Sequence, residues 1–165
     1  MTQTASFFRR VLGSRPAFAD TVVVPHTGSL PASRLLHTAD GVRSLISEGT
    51  GAPTVVFESG LGDGKEAWAS VFPAISAHTH TVAYDRAGYG QSTRAAQPRD
   101  GQQIVQELRS MLQAGGWPPP YVLVGHSLGG TIVKLFARAY PNEVAGVVLV
   151  DARHSEFVKR CRQLG

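Results

Sequence analysis

Four short apolar runs, separated by longer segments with helical periodicity, constrain the fold of this 165-residue chain more than any other feature. The runs read TVVFE, TVAYD, YVLVG and GVVLVD, and most of their positions are apolar without alternation. Such runs are typical of strands that helices cover on both faces, as in a parallel sheet. The order of strand and helix predicts an α/β protein with a three-layer sandwich around a mostly parallel sheet.

The pattern predicts six strands, because two further candidates precede the four runs. The predicted strands cover residues 34–38, 42–47, 54–58, 81–85, 121–125 and 146–151. Three stripes of apolar residues at helical spacing are expected to face the core: Trp68, Val71, Phe72 and Ile75; Ile104, Val105, Leu108, Met111 and Leu112; Ile132, Leu135, Phe136 and Ala139. Asp100 is expected to cap the second helix, Gly115 to end it, and Pro141 to close the third.

Length and charge divide the chain into a body and two ends. The length predicts one domain over residues 34–165, preceded by an N-terminal extension, residues 1–33, that is partly disordered. The net charge is +4, and the basic excess lies in residues 1–20 and 153–165, so the body is close to neutral. A nucleic-acid footprint would be a basic stripe on the body, and nucleic acid is therefore not an expected partner.

Composition excludes several other classes. No apolar run approaches the roughly 20 residues of a membrane span. The single cysteine, Cys161, cannot form an internal disulfide, which favours a reducing, cytoplasmic location. The acidic and histidine residues show no spacing typical of a metal site, and we expect neither a metal nor another cofactor.

The segment YVLVGHSLGG contains the pattern G-x-S-x-G, formed by Gly125, His126, Ser127, Leu128 and Gly129. It lies between a predicted strand and a predicted helix, which makes it far more specific than the same pattern in a loop. In that context the serine occupies a strained tight turn, and the two glycines avoid clashes with the neighbouring chain. Backbone N–H groups at the start of the helix then face the place where negative charge would develop.

Four motifs in one order resemble the α/β-hydrolase superfamily with a serine nucleophile. They are FESGLGDG, YDRAGYGQS, GHSLGG and VVLVDARH, which begin at residues 57, 84, 125 and 147. The resemblance covers strands one to six of that fold and implies that the chain is truncated after strand six. It also implies that Asp85 and Arg86 of the second motif fix the shape of a loop.

The resemblance assigns roles to individual residues. Ser127 matches the nucleophile of a nucleophile elbow, and the backbone N–H groups of Leu61 and Leu128 match the oxyanion hole. Gly60, Gly125, His126 and Gly129 match supporting positions. The implied activity is an esterase-like or lipase-like hydrolysis of a small-molecule acyl substrate, such as a carboxylic ester. Epoxide hydrolases and haloalkane dehalogenases of this fold use an aspartate nucleophile instead.

The rest of the catalytic triad is incomplete in the printed sequence. The family order is serine, acid, histidine, and the histidine follows the eighth strand. Asp151 is the candidate acid, since some members of the family carry the acid after the sixth strand, although most members use this residue to close the strand. His154 is the only histidine after Ser127, and it can be a surface residue or a member of an improvised triad with Asp151.

Three interpretations remain open on the sequence alone. The first is a serine hydrolase whose activity is impaired because the catalytic histidine is missing. The second is a non-catalytic fragment or binding module, and the third is the improvised triad. In each of them the sixth strand would form an open edge of the sheet, and an open apolar edge favours self-association.

Overall fold

The computed structural model describes residues 30–95 and 99–152. Most of the predicted N-terminal extension, together with His154 and Cys161, lies outside the described residues. The described part contains one sheet, and its strands agree with the predicted ones to within two residues at each end: β1 Arg34–Thr38, β2 Gly41–Glu48, β3 Thr54–Glu58, β4 Thr81–Tyr84, β5 Tyr121–His126 and β6 Val144–Val150.

The strand order in the sheet is β1-β2-β4-β3-β5-β6. The four strands from β4 to β6 run parallel to one another, whereas β1 and β2 pair antiparallel at one side. Val56 of β3 lies opposite both Val82 of β4 and Leu123 of β5, so the apolar runs form the centre of the sheet. The predicted mostly parallel α/β sheet is therefore confirmed.

Helices cover the sheet unequally on its two faces. The thick layer consists of α2, Gly101–Ala114, and α3, Leu128–Ala139. The thin layer consists of a 3-10 turn, Lys65–Trp68, and the five-residue helix α1, Phe72–Ser76. Alternate residues of β3 pack against the two layers. Val56 belongs to the core under α2 and α3, whereas Val55 and Phe57 pack with Trp68 and Phe72.

The helix ends follow the predicted signals. The Asp100 carboxylate accepts a hydrogen bond of 2.8 Å from the Gln103 N–H at the start of α2, and Gly115 is the residue that ends this helix. The helix α3 ends at Ala139, and Pro141 opens a separate 3-10 turn. A side-chain cap of this kind typically stabilises a protein by about 1 kcal/mol.

Two details of the predicted helical faces were wrong. Residues 68–75 do not form one helix, because Pro73 has no N–H to bond to an earlier carbonyl and so lies in the first turn of α1. Val71 just before it is 43% exposed. On α3 the buried face contains Val133 instead of Leu135, which is 36% exposed, and Ala139, also expected to face the core, is exposed as well.

The strand β6 has neighbours on one side only. It pairs with β5, and no other described strand lies beside it. Leu149 and Val150 are 47% and 41% exposed, so the prediction that helices cover both faces of this run was wrong for the described residues. A shallow apolar groove, which Leu135, Val147 and Leu149 help to line, continues from this edge onto α3.

Candidate functional site

Ser127 lies in a tight turn between β5 and α3, at the carboxyl end of the parallel strands. Its φ of 50° and ψ of −113° form a combination that residues with a side chain rarely adopt. Two backbone hydrogen bonds of 3.1 Å hold the turn, from the Ser127 N–H to the Val150 carbonyl and from the Gly130 N–H to the Ser127 carbonyl. The Ser127 side chain forms no capping bond with α3.

Three glycines allow the turn to close against its neighbours. A Cβ atom on Gly125 would lie 2.6 Å from the Gly129 carbonyl oxygen. A Cβ atom on Gly129 would overlap the carbonyl oxygen of Glu58 and lie 2.6 Å from that of Ser59. A Cβ atom on Gly130, which the sequence analysis did not single out, would overlap the Ala152 side chain. At Gly125 and Gly129, the two glycines of the G-x-S-x-G pattern, backbone therefore packs directly on backbone.

Two backbone N–H groups without a described partner lie at this end of the sheet. Leu128 is the first residue of α3, and N–H groups in the first turn of a helix have no acceptor within it. The Leu61 N–H forms no hydrogen bond within residues 30–95 and 99–152. Because Glu58 of β3 pairs with Gly125 of β5, the loop after β3 and the turn after β5 leave the sheet side by side.

The loop after β3 is fixed from within by Ser59. The Ser59 hydroxyl donates a 2.8 Å hydrogen bond to the Gly64 carbonyl and accepts one of 2.9 Å from the Trp68 indole N–H. Ser59 is 2% exposed, whereas the side chain of Leu61 at the tip of the loop is 69% exposed. The loop therefore has a fixed base and a tip that faces solvent.

A buried cluster of Glu58, Tyr84 and Arg86 lies beneath this loop. Arg86 Nη1 is 2.6 Å from Glu58 Oε1, and the Tyr84 hydroxyl donates to the other carboxylate oxygen. Burial raises the pKa of Glu58, against the lowering effect of Arg86. Burial and the charge of Glu58 raise the pKa of Tyr84 well above its usual value, so Tyr84 stays protonated and donates.

Asp85 holds a second loop, as the sequence analysis predicted. Its carboxylate accepts hydrogen bonds from the Lys65 N–H at 2.9 Å and from Lys65 Nζ at 2.6 Å, and the carboxylate is buried. The Ser92 hydroxyl donates a 2.7 Å hydrogen bond to the Asp85 carbonyl. These bonds join the segment after β4 to the turn at Lys65.

His126 lies between Ser127 and the loop after β3. Its Nδ1 is 3.7 Å from Asp63 Oδ2, and both side chains are partly exposed. A Cβ atom on Gly60 would lie 2.9 Å from the same Nδ1, so the imidazole ring packs against the glycine backbone. This contact joins the turn at Ser127 to the loop after β3 and is consistent with a supporting position for His126.

Asp151 and Ser127 occupy equivalent places on neighbouring strands. His126 of β5 pairs with Val150 of β6, so each of the two residues comes directly after a paired position. Among the described residues other than glycine, they alone have positive φ, 43° at Asp151 and 50° at Ser127. Asp151 is exposed. The structure therefore brings the candidate acid to the same edge as Ser127, whereas His154 lies outside the described residues.

Two further sequence expectations concern metals and membranes. Within the described residues no group of three or more His, Cys, Asp and Glu side chains is placed to hold a metal ion. Among the helices that the structure describes, none is both long and apolar enough to cross a bilayer.

Sequence reasoning missed the part that Glu58 and Arg86 play together. Arg86 was expected only to fix a loop, and Glu58 was only the end of a strand. Both are fully or almost fully buried, at 0% and 3% exposure. The one signal was that charged residues follow apolar runs at 58 and 86, and buried charges must be paired.

Comparison with known proteins places the chain in a family. A family model described as alpha/beta hydrolase fold matches residues 53–160, about two thirds of the sequence. The uncharacterized protein YqjL of Bacillus subtilis is 38% identical over 117 residues, which cover 70% of this chain and 46% of YqjL. The human (lyso)-N-acylphosphatidylethanolamine lipase is 31% identical over 102 residues, which cover 59% of this chain and 29% of the lipase.

Solved structures agree with the family at the level of the fold. A thermophilic esterase from Thermogutta terrifontis superposes with a TM-score of 0.67 at 22% identity, covering 81% of this chain and 52% of the esterase. The chain belongs to the α/β-hydrolase family, and the predicted resemblance to that family is confirmed. It spans about half the length, or less, of the curated relatives that it matches.

Proposed function

We propose that this protein is a serine hydrolase that cleaves a carboxylic ester or a related acyl compound, with Ser127 as the nucleophile. The observation that carries the proposal is the strained turn at Ser127, whose hydroxyl is not used as a cap, beside two N–H groups without described partners. Non-glycine residues with this backbone conformation persist only where the surrounding structure enforces it, and they cluster at functional sites. The lipase among the relatives supports an ester as the substrate class.

The proposed reaction begins when Ser127 Oγ attacks the acyl carbon and loses its proton to a base. The carbonyl oxygen becomes an oxyanion, which accepts hydrogen bonds from the N–H groups of Leu61 and Leu128. The intermediate then expels the alcohol, which takes up the proton, and an acyl ester on Ser127 remains. Water attacks this ester in the same way and releases the carboxylic acid and the free hydroxyl.

Ser127 also needs a base to take up its proton and an acid to orient that base. Asp151 is the candidate acid because it directly follows β6, the strand beside the one that leads to Ser127. Within the printed sequence only His154 follows Ser127 as a candidate base. We therefore expect slow turnover from the 165-residue chain, since a site without a triad member retains only about 10³ to 10⁴ in rate over the uncatalysed reaction.

Covalent labelling tests the nucleophile directly. The full chain is incubated with a fluorophosphonate probe, and the modified residue is located by tandem mass spectrometry. We expect one adduct on Ser127, formed slowly, because phosphonylation needs an accessible serine oxygen that a base activates beside oxyanion donors. Ser127→Ala should show no adduct. Ser70→Ala, which changes an exposed serine away from the turn, should be labelled as the parent chain is.

Other outcomes separate the alternatives. An unlabelled parent chain, or equal labelling of Ser127→Ala, contradicts the proposal and favours a non-catalytic binding module. If labelling of Ser127 persists at the parent rate in His154→Ala, the improvised triad is wrong and the nucleophile does not depend on that histidine.

Self-association through the edge of β6 remains a second proposal. The edge lacks a described neighbour, and its Leu149 and Val150 are exposed.

We expect sedimentation velocity of the full chain to show concentration-dependent dimers or larger species. Leu149→Lys should shift them toward monomer, because a charge on an edge strand opposes strand pairing. Val71→Lys, which changes an equally exposed residue on the thin layer, should have no such effect. A parent chain that is monomeric at every concentration contradicts the proposal.

A further inference from the structure

The Arg86 guanidinium also binds a loop other than its own, the loop after β3. Its Nη1 donates to the Ser59 carbonyl at 2.6 Å, and its Nη2 donates to the Gly60 carbonyl. One buried side chain therefore binds two consecutive carbonyl groups of the loop after β3. We propose that Arg86 is a positioning residue that aims the N–H of Leu61 at the acyl oxygen, a role that rests on the proposed function of Ser127.

The planarity of one peptide group connects Arg86 to that N–H. The Gly60 carbonyl and the Leu61 N–H belong to the same peptide group, and this group is trans because the described cis bonds lie elsewhere. In a trans peptide the C=O and N–H bonds point in opposite directions. When Arg86 holds the carbonyl oxygen on one side, the Leu61 N–H must point to the other side, away from the guanidinium.

The direction in which the N–H points is consistent with the surroundings of Ser127. The Leu61 N–H has no acceptor within the described residues, whereas Arg86 and Glu58 lie under the loop and are buried. The start of α3 packs against the same loop, since a Cβ atom on Gly129 would lie 2.6 Å from the Ser59 carbonyl oxygen. The loop is thus held between Arg86 below and the turn at Ser127 beside it.

The guanidinium itself cannot easily rotate. Glu58 holds one edge through a 2.6 Å ion pair, and the Tyr89 ring lies with its centroid 4.9 Å from the Arg86 Cζ atom. Burial alone would lower the pKa of Arg86, but the charge and hydrogen bond of Glu58 raise it above its usual value, so the cation is permanent. A cation bound to a carbonyl also polarises that peptide group, which strengthens its N–H as a donor.

Arginine is required for this geometry, and lysine would not replace it. The planar fork of the guanidinium presents several N–H bonds in fixed directions, whereas the ammonium of lysine is a single point of charge. Arg86→Lys keeps the charge beside Glu58 but cannot hold Glu58 and both carbonyl groups in the same geometry. This substitution therefore tests the orientation of the Leu61 N–H without removing the buried positive charge.

The matched control is Arg99→Lys. Arg99 also pairs with a buried glutamate, Glu107, at 2.7 Å, and donates to a loop carbonyl, that of Ala87 at 3.0 Å. It makes no described contact with residues 59–61. If the effect of Arg86→Lys were only a general loss of stability, Arg99→Lys should reproduce it.

The test combines labelling kinetics with NMR on the full chain. For the fluorophosphonate, we expect Arg86→Lys to lower the limiting rate of phosphonylation at saturating probe by at least about tenfold, short of the roughly 10² to 10³ that loss of a whole oxyanion donor costs. The probe concentration at half-saturation should change little. In the unreacted protein, the amide cross-peak of Leu61 should move in Arg86→Lys and stay in place in Arg99→Lys.

The outcomes distinguish this inference from the proposed function. Parent-like phosphonylation of Arg86→Lys, or an unmoved Leu61 cross-peak, overturns the role of Arg86. If the parent chain is not labelled, the proposed function of Ser127 is wrong, and orienting the Leu61 N–H would serve no catalytic step. The NMR result still decides whether Arg86 holds Leu61. If Arg86→Lys does not fold, the double variant Glu58→Gln, Arg86→Gln takes its place, because it leaves no unpaired buried charge.

Discussion

Ser127→Gly is expected to unfold at a higher temperature than the parent chain and to lose all covalent labelling by the fluorophosphonate. The gain arises because glycine adopts a positive φ freely, whereas a residue with a Cβ atom is strained there by about 1–3 kcal/mol. The greater freedom of glycine in the unfolded chain offsets about 0.5–1 kcal/mol of this. The net gain of up to about 2.5 kcal/mol corresponds to a rise of up to about 10 °C in Tm by calorimetry.

Ser127→Ala is the matched control for that gain. Alanine removes the same hydroxyl but keeps the Cβ atom and therefore the strain at φ 50°. It should lose labelling and unfold close to the parent temperature. If Ser127→Gly unfolds at or below the temperature of Ser127→Ala, the turn is not strained, and the backbone argument for a functional serine fails.

Gly129→Ala is expected to cause the largest loss of stability among the single-atom changes at the site. The added methyl group would overlap the Glu58 carbonyl oxygen and come within 2.6 Å of the Ser59 carbonyl oxygen, and neither backbone atom can rotate away. Overpacking of this kind costs about 1–3 kcal/mol, a fall of about 2–12 °C in Tm for a chain of this length. Labelling of Ser127 should slow as well, since the same displacement moves the loop that carries Leu61.

Gly101→Ala provides the comparison for this effect. A Cβ atom there would meet only the end of the Leu135 side chain, which is partly exposed and can rotate. Alanine is also preferred to glycine in a helix. We expect a Tm equal to or above that of the parent chain. A Gly129→Ala protein as stable as Gly101→Ala would show that α3 does not pack against the end of β3.

Much of the sheet could be predicted because short segments of the sequence determine where each strand and each helix end lies. Apolar runs at β3, β4 and β5 are continuous in the sequence, and Asp100 and Gly115 mark helix ends through bonds to nearby residues. Prediction failed where tertiary packing decided the outcome. Leu135 continues the apolar stripe of α3, but it is 36% exposed because the buried face is centred on Val133 and Phe136 instead.

The candidate site divides in the same way. The turn at Ser127 could be predicted from the sequence because its close backbone packing requires glycine at fixed spacing on both sides of the serine. Arg86 donates hydrogen bonds to the Ser59 and Gly60 carbonyls, which lie more than 25 positions away in the sequence. Nothing in either segment alone indicates that the two segments meet. The sequence order also cannot show that Asp151 and Ser127 follow paired positions of adjacent strands.

The proposed function requires the Ser127 oxygen to face the N–H groups of Leu61 and Leu128. A crystal structure of the full chain after reaction with the fluorophosphonate tests it most directly, because the phosphonyl oxygen occupies the place of the oxyanion. We expect phosphorus bonded to Ser127 Oγ, with one phosphonyl oxygen at roughly 2.7–3.1 Å from both backbone nitrogen atoms. A phosphonyl group that bonds to another residue, or whose oxygens contact neither nitrogen atom, would contradict it.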